Sequence, residues 1–326
     1  MADIIYFVVP CYNEEEVLPV TARKLYEKMR QFVSIGLAGQ GSRILFVDDG
    51  SSDGTWRLIR ALSQESTVFT GLKLSRNRGH QNALLAGLMT AKEYADAVIS
   101  LDADLQDDID VSDDFLKEYY SGSDIVYGVR GDRSSDSFFK RSTAQGFYRF
   151  MSAMGVELVY NHADYRLMSR RALDCLEQYR EVNLFLRGII PQIGLKTSEV
   201  YYQRGERAAG KSKYPLGKML ALALDGITSF SVKPLRLITV LGGIVSAVSA
   251  AALIFTLAAG RTEIAVAACS LWLLGGIELA AAGTIGSYIG KIYSEVKGRP
   301  RYFIEQNLLM PNVGMAGSRE YTRKIV

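Results

Sequence analysis

Short apolar runs alternate with amphipathic segments along the first third of the chain. The runs IIYFVVP, SRILFVDDG, VFTGLKLS and AVISLDAD are typical of buried strands. Segments with helical periodicity follow the first three runs: NEEEVLPVTARKLYEKMRQF, DGTWRLIRALSQE, which opens with Ser/Asp capping residues, and HQNALLAGLMTAKEYA. This alternation predicts an α/β fold with a mostly parallel sheet and helices on both of its faces.

Two later segments are apolar over a much greater length. No charged residue occurs between Arg236 and Arg261, and Glu278 carries the only charge in the run from Ile264 to Gly290. A helix of about 20 residues crosses the roughly 30 Å hydrocarbon core of a bilayer. The pattern predicts two transmembrane helices within residues 235–290, and a pair of buried core helices is the alternative.

Charges around these segments predict their orientation and the division of the chain. Cationic residues precede the first apolar segment and follow the second: Lys233 and Arg236, then Lys291, Lys297, Arg299 and Arg301. By the positive-inside rule, both termini lie on the cytoplasmic side of the plasma (inner) membrane. Residues 214–234 present one apolar helical face, which predicts either a helix on the membrane surface or a helix packed on the preceding domain. The predicted units are a cytoplasmic catalytic domain (1–213), the juxtamembrane region (214–234), the two spans with an outer turn near 260–263 (235–290) and a cytoplasmic tail (291–326).

Composition excludes several function classes. The formal net charge of +3 gives no general surface for nucleic acid. The 3 cysteines lie far apart and only 2 histidines occur, so we expect reduced thiols and no Cys/His zinc site. The N-terminus has neither the basic nor the long apolar region of a signal peptide.

Polar clusters follow all four predicted strands: CYNEEE, DDGSSDGT, SRNRGH and DADLQDD. Ligands of α/β sheets bind beyond the carboxyl ends of the strands, so we expect these clusters to meet at one site. Asp102 and Asp104, two residues apart on the predicted fourth strand, would project from one face toward one hard cation, with Gln106 as a neutral ligand. Mg²⁺ or Mn²⁺ held in this way takes its other ligands from phosphate oxygens and water. The pattern therefore predicts a diphosphate ligand, whereas EF-hand, P-loop and dinucleotide motifs do not fit.

Seven motifs carry a resemblance to a known family. VVPCYNEEE, VDDGSSDGT, SRNRGHQNALLAGL, LDADLQD, YGVR, HADYRLMSR and RAAGKSKYP resemble, in this order, family 2 glycosyltransferases that load a sugar onto a polyprenyl phosphate. Dolichyl-phosphate mannose synthase and the bactoprenol glucosyltransferases belong there, and the apolar spans and GRPRYFIEQ resemble the bactoprenol group more closely. The resemblance extends from about Ile4 to Gln306 and implies a glycosyltransferase A-type, Rossmann-like fold.

The resemblance also implies roles for matching residues. Pro10, Tyr12, Asn13 and Glu14 match positions that cradle the nucleoside, and Asp48 and Asp49 match positions that meet the base and ribose. Asp102, Asp104 and Gln106 match the metal and diphosphate site. Arg130, Arg141 and Arg207 match arginines that hold donor or acceptor phosphates, and Ser212 and Lys213 match a loop that closes over the donor. Asp164 matches the position usually given to a catalytic base, although a phosphate acceptor with a second pKa of about 6 hardly needs deprotonation.

The implied reaction transfers a sugar from a nucleotide sugar to undecaprenyl phosphate with inversion of configuration, at the lipid bilayer, for cell-envelope glycans. UDP-glucose is the expected donor, and UDP-N-acetylglucosamine or another UDP-sugar is the alternative. A processive polysaccharide synthase fits less well, since neither Trp56 nor Trp272 follows an arginine as a Q-x-x-R-W motif requires. A non-catalytic membrane scaffold is the alternative outside the enzymes, and the sequence leaves open whether the chain forms a homo-oligomer.

Overall fold

A computed structural model of the protein describes residues 2–131, 162–182, 184–203 and 264–309, together with positions 238, 240 and 244. Within these residues the strands form one sheet in the order β7-β5-β6-β4-β1-β2-β3-β8. Their bounds are β1 (Ile5–Cys11), β2 (Arg43–Asp48), β3 (Phe69–Leu74), β4 (Ala97–Ser100), β5 (Ile125–Arg130), β6 (His162–Ser169), β7 (Thr197–Tyr202) and β8 (Ile304–Asn307). Strands β1 to β4 pair in parallel, whereas β6 runs antiparallel to both β4 and β5.

Helices cover both faces of this sheet, as the sequence predicts. They are α1 (Leu18–Ser34), α2 (Thr55–Glu65), α3 (His80–Ala91), α4 (Ser112–Tyr120), α5 (Arg170–Glu177), α6 (Leu186–Gln192) and α7 (Ile264–Lys297). Alternate residues of β1 divide between two cores: Phe7 packs with Phe32 of α1, and Val8 packs in the core that contains Leu84 of α3. Full burial of one such side chain stabilises the fold by about 1.5–3 kcal/mol, so both faces contribute.

Helix α1 begins later than the periodicity predicts. Its first residue is Leu18, with Pro19 in the first turn, whereas the sequence pattern places the start at Asn13. Proline is favoured there because its fixed φ suits a first turn and its missing N–H has no helical acceptor. Residues 13–15 are therefore left outside the helix, where they contact the loop after β2.

The chain returns to the sheet after α7. Strand β8 pairs antiparallel with β3, and Trp56 Nε1 donates a hydrogen bond to Gln306 Oε1 at 3.3 Å. Near the end of α7, Glu295 Oε2 accepts a hydrogen bond from Val182 N at 2.7 Å. The segment predicted as a C-terminal tail thus supplies an edge strand to the sheet of the N-terminal domain.

The second predicted apolar segment lies in α7, which continues without interruption for 34 residues. In the part of the chain that the structure describes, no helix is both long and apolar enough to cross a membrane. The juxtamembrane region 214–234 and, apart from positions 238, 240 and 244, the first predicted span lie outside the described residues. The two-span arrangement stays a prediction.

Candidate active site

The loops after β1 and β2 are joined by side-chain hydrogen bonds. Asn13 has a left-handed backbone with φ of 54°, which asparagine tolerates better than most residues. Its N–H donates to Ser51 Oγ at 3.0 Å, and its Oδ1 accepts from Ser52 N at 2.9 Å. Glu14 N donates to Thr55 Oγ1 at 2.9 Å. The backbone of the predicted nucleoside loop is therefore fixed against the start of α2.

Pro10 and Tyr12 lie at the end of β1 beside this loop. Pro10 is buried within the strand, whereas the ring of Tyr12 is exposed. An exposed ring at the end of a central strand is available to a ligand, while a buried proline acts through the backbone that it shapes. The contact of both residues with a nucleoside stays a prediction.

Asp48 and Asp49 are both buried. Asp49 Oδ1 accepts from Arg78 N at 2.7 Å and Oδ2 accepts from Gly79 N at 2.9 Å, so this carboxylate joins the loops after β2 and β3. Asp48 Oδ1 accepts from Ser51 N at 3.2 Å. Burial raises the pKa of both carboxyl groups. Their predicted contacts with base and ribose stay untested, and the structure adds a role for Asp49 in shaping the loops.

Gly50 allows these two loops to approach each other. Its φ is +67°, and a Cβ at this position would lie 2.5 Å from the carbonyl carbon of Arg76. A side chain would thus be disfavoured both by the backbone conformation and by the neighbouring backbone. The glycine in the DDGSSDGT motif is explained by this close approach.

Asp102 and Asp104 lie in a turn and not on a strand, which corrects the sequence-based prediction. β4 ends at Ser100, and the hydrogen bond from Leu101 N to Val8 O is the last to β1. Ala103 is nevertheless buried in the core, while the aspartates on either side are partly exposed. The two carboxylates therefore lie toward the same, solvent-facing side of the turn. They do so because Ala103 between them packs into the core, and not because strand residues alternate.

A tight turn follows the two carboxylates. Leu105 has a φ of 55°, and Gln106 N donates to Asp104 Oδ1 at 3.2 Å. Burial raises the pKa of Asp102, His80 opposes this effect, and the nearby carboxylates add to it. A divalent cation would relieve this repulsion, and two carboxylates with one amide oxygen suit a hard ion whose other ligands are phosphate and water. Among the described residues, no group of three or more His, Cys, Asp and Glu side chains is arranged to hold a metal ion.

Three cationic side chains surround the buried carboxylate of Asp164. Arg187 donates Nε to Oδ1 at 3.2 Å and Nη2 to Oδ2 at 3.0 Å, in the bidentate geometry that a guanidinium fork favours. Arg166 Nη2 also donates to Oδ1. His80 Nε2 lies 3.4 Å from Asp164 Oδ2 and 3.7 Å from Asp102 Oδ1, so it connects this cluster to the acidic turn.

Charge dominates the titration of this cluster. Burial alone would raise the pKa of Asp164, but Arg187, His80 and Arg166 together hold it well below its usual range. Burial would lower the pKa of His80, yet Asp164 and Asp102 raise it to about 9. A carboxylate whose pKa is so low is a weak proton acceptor near neutral pH.

Arg130 faces a different carboxylate. Its Nη2 lies 3.6 Å from Asp107 Oδ1, and the Tyr202 hydroxyl donates to the same oxygen. Asp107 is buried and directly follows the acidic turn, so Arg130 lies near the predicted metal ligands. The other two arginines predicted to bind phosphates, Arg141 and Arg207, lie outside the described residues, as do Ser212 and Lys213 of the predicted donor loop.

The family profile for glycosyl transferase family 2 matches residues 6–177, which include the four loops described above and Asp164. The chain belongs to glycosyltransferase family 2. The resemblance seen in the sequence is confirmed, as is the α/β fold that it implied. The sheet, predicted to be mostly parallel, is mixed, with four parallel and three antiparallel strand pairs among the described residues.

Curated relatives of this family 2 glycosyltransferase extend the similarity over nearly the whole chain. The "Uncharacterized glycosyltransferase YkoT" of Bacillus subtilis (strain 168) is 53% identical over 94% of this chain and 92% of its own. The "SfII prophage-derived bactoprenol glucosyl transferase" of Shigella flexneri is 40% identical over 93% and 98%. The "Prophage bactoprenol glucosyl transferase homolog" of Escherichia coli (strain K12) is 38% identical over 93% and 98%.

Solved structures are more distant from this family 2 glycosyltransferase. Glucosyl-3-phosphoglycerate synthase from Mycobacterium tuberculosis, in complex with Mn²⁺, UDP and glucosyl-3-phosphoglycerate, is 18% identical over 69% of this chain and 78% of its own. The TM-score is 0.40.

Three residues of the cluster, Arg166, His80 and Arg187, were not assigned a site role from the sequence, and Arg166 stands in the HADYRLMSR motif. His80 stands at the start of α3 in the SRNRGH motif, and Arg187 lies in the first turn of α6 outside any recognised motif. Leu186 N donates to Gln81 Oε1 at 3.0 Å, which joins the beginnings of the two helices. The motif was a signal for His80, whereas no local pattern distinguishes Arg187 from a surface arginine.

Proposed function

We propose that this family 2 glycosyltransferase transfers glucose from UDP-glucose to undecaprenyl phosphate with inversion at the anomeric carbon. UDP-N-acetylglucosamine or another UDP-sugar is the alternative donor. One observation carries the proposal: the acidic turn of Asp102 and Asp104 meets the cationic cluster around Asp164 at one edge of the sheet. The 40% identity to a bactoprenol glucosyl transferase over 93% of the chain supports the choice of acceptor and sugar.

The proposed reaction is a single displacement. An oxygen of the lipid phosphate attacks the anomeric carbon from the face opposite the diphosphate. A carbon–oxygen bond forms to the lipid phosphate while the carbon–oxygen bond to the diphosphate breaks, and UDP leaves with the electron pair. A phosphate monoester is mostly a dianion at neutral pH, since its second pKa is about 6, so the step needs no general base. The low pKa of Asp164 agrees with this scheme.

A divalent cation, Mg²⁺ or Mn²⁺, is part of the proposal. Asp102 and Asp104 would hold it, with Gln106 as a neutral ligand, and the cation would compensate the charge of the leaving diphosphate. Support comes from the exposed side of the turn, where both carboxylates lie. The remaining predicted residues keep their proposed roles: Pro10, Tyr12, Asn13, Glu14, Asp48 and Asp49 toward the nucleoside, Arg130, Arg141 and Arg207 toward phosphates, and Ser212 and Lys213 in a donor loop.

We further propose that two apolar segments within residues 235–290 hold the catalytic domain on the cytoplasmic face of the plasma membrane. The lack of charge in these segments and the cations that flank them support this arrangement. Single cysteines at Thr262 and Ser318 test it in a background without native cysteines. A membrane-impermeant thiol reagent applied from the periplasmic side is expected to label position 262 and not position 318, and reversed labelling would refute the orientation.

A radiolabel assay tests the reaction. Protein purified in detergent is incubated with Mg²⁺, undecaprenyl phosphate and labelled UDP-glucose, UDP-N-acetylglucosamine or UDP-galactose in parallel. We expect label in a lipid product that carries one sugar, with UDP-glucose as the preferred donor. Undecaprenol, which lacks the phosphate, is the matched control and should remain unlabelled. A growing polymer would instead indicate a processive synthase, and no transfer from any donor would indicate a scaffold.

A further inference from the structure

Two guanidinium groups share the carboxylate of Asp164, but they differ in access to solvent. The side chain of Arg166 is 1% exposed, whereas that of Arg187 is 36% exposed. Arg187 is therefore the guanidinium group of this pair that a ligand can reach from solvent.

The two hydrogen bonds to Asp164 fix the orientation of the Arg187 guanidinium group as well as its position. The fork to Asp164 uses Nε and Nη2, which form one edge of the planar group, so the edge that carries Nη1 points away from this carboxylate. The hydrogen bond from Leu186 N to Gln81 Oε1 holds the first turn of α6 against α3. A guanidinium whose direction is set in advance loses less conformational entropy when it binds a ligand.

The surroundings of Arg187 point to an anionic ligand near the acidic turn. His80 lies between Asp164 and Asp102, at 3.4 Å and 3.7 Å from their carboxylate oxygens, and 34% of its side chain is exposed. His80 therefore links the carboxylate that binds Arg187 to the predicted metal ligand Asp102. Phosphate is the ligand that suits both a guanidinium fork and a neighbouring divalent cation.

We propose that Arg187 binds a phosphate group of a substrate and that Asp164 is a positioning residue that orients Arg187, not a base that accepts a proton. This inference rests on the proposed glycosyl transfer. Two substrates carry the required chemistry, the diphosphate of the donor and the monophosphate of the lipid acceptor. The experiment separates these two sources.

The test compares Arg187→Lys and Arg187→Gln with Arg171→Lys. Lysine keeps the charge and loses the bidentate fork, and glutamine loses both. Arg171 is a matched control, since it is an exposed arginine whose Nη1 lies 3.7 Å from Asp124 Oδ2. UDP affinity, measured by calorimetry with Mg²⁺, reports on the donor phosphates, and the KM for undecaprenyl phosphate reports on the acceptor phosphate.

We expect Arg187→Lys to weaken one of these two parameters by about 10-fold and Arg187→Gln to weaken the same parameter further. Loss of UDP affinity assigns Arg187 to the donor, and a raised KM with unchanged UDP affinity assigns it to the acceptor. Arg171→Lys should change neither. Wild-type values of both parameters in both Arg187 variants would overturn the proposal.

A double-variant cycle tests the role of Asp164. If Asp164 acts through Arg187, then Asp164→Asn lowers kcat/KM much less in the Arg187→Gln background than in the wild-type background. Equal factors in both backgrounds would overturn the positioning role. If the wild-type enzyme transfers no sugar to the lipid, the proposed function fails, but the calorimetric comparison still reports whether Arg187 binds the donor phosphates.

Discussion

Asp49 and Asp164 are buried carboxylates at the same edge of the sheet, and the protein stabilises them in different ways. Asp49 accepts hydrogen bonds from the backbone N–H groups of Arg78 and Gly79. Asp164 is bound by the side chains of Arg166 and Arg187. Burial raises the pKa of Asp49 despite its hydrogen bonds, whereas the cations hold the pKa of Asp164 well below its usual range.

The two kinds of partner, backbone N–H groups and cationic side chains, give the two carboxylates different roles. Backbone N–H groups are dipoles, so a carboxylate bound to them mainly determines the path of a loop. Cationic side chains carry full charges, so a carboxylate bound to them determines both their direction and the net charge that a ligand meets. Removing the first carboxylate should loosen a loop, while removing the second leaves a buried cation without its counter-ion.

The largest effect on stability is expected from Asp164→Asn. This change removes the counter-ion of Arg166, whose side chain is 1% exposed, and breaking a buried pair in this way costs about 3–5 kcal/mol. Denaturant unfolding of the purified protein measures the loss. Asp174→Asn, at an exposed partner of Lys92, is the control and should cost less than about 1 kcal/mol. If Asp164→Asn also lost less than about 1 kcal/mol of unfolding free energy, the account based on charge would be contradicted.

Asp104→Ala extends the comparison to a carboxylate whose charge we propose is balanced by a metal. Loss of a ligand should reduce kcat at least about 100-fold, which corresponds to about 2.7 kcal/mol of transition-state stabilisation. Excess EDTA should likewise reduce sugar transfer by the wild-type enzyme, because it removes the metal. Asp114→Ala, at an exposed pair with Lys117, is the matched control. Full activity in EDTA would refute the metal site.

Asp49→Ala should have a smaller effect. Two backbone N–H groups lose their acceptor, at a cost of about 1–3 kcal/mol, and water entering the loop offsets part of it. Hydrogen exchange should show faster exchange at Arg78 and Gly79 and little change in β6. Equal acceleration in β6 would mean that Asp49 supports the whole site and not one loop.

The smallest expected effect is a dependence of stability on pH. The folded pKa of His80, about 9, lies above its usual value, so the stabilisation from its charge is complete below about pH 6.5 and is lost as pH rises through 9. Because the side chain is 34% exposed, we expect a fall of only about 1 kcal/mol in the free energy of unfolding across this range. His80→Gln, compared in metal-free buffer, should remove the fall. An unchanged pH dependence in this variant would contradict the pairing with Asp164 and Asp102.

Local patterns were sufficient to predict the first four strands and the first three helices of the fold. The apolar runs correspond to β1 to β4, and the helical periodicity corresponds to α1 to α3, because side-chain burial repeats with the period of each element. The ends of elements were less predictable. Helix α1 starts only at Leu18, because residues 13–15 bond to the loop after β2, and β4 stops at Ser100, because ladder hydrogen bonds depend on the neighbouring strands.

The sequence by itself determined the α/β class and the polar loops that follow the strands, since both depend on residues close together along the chain. Only the tertiary structure decided which distant side chains share a site. The antiparallel insertion of β6 between β4 and β5 brings Asp164 beside the acidic turn, and packing of α6 near α3 brings Arg187 and His80 to it. No local period encodes these contacts, because they depend on strand order and helix packing, which the whole chain determines together.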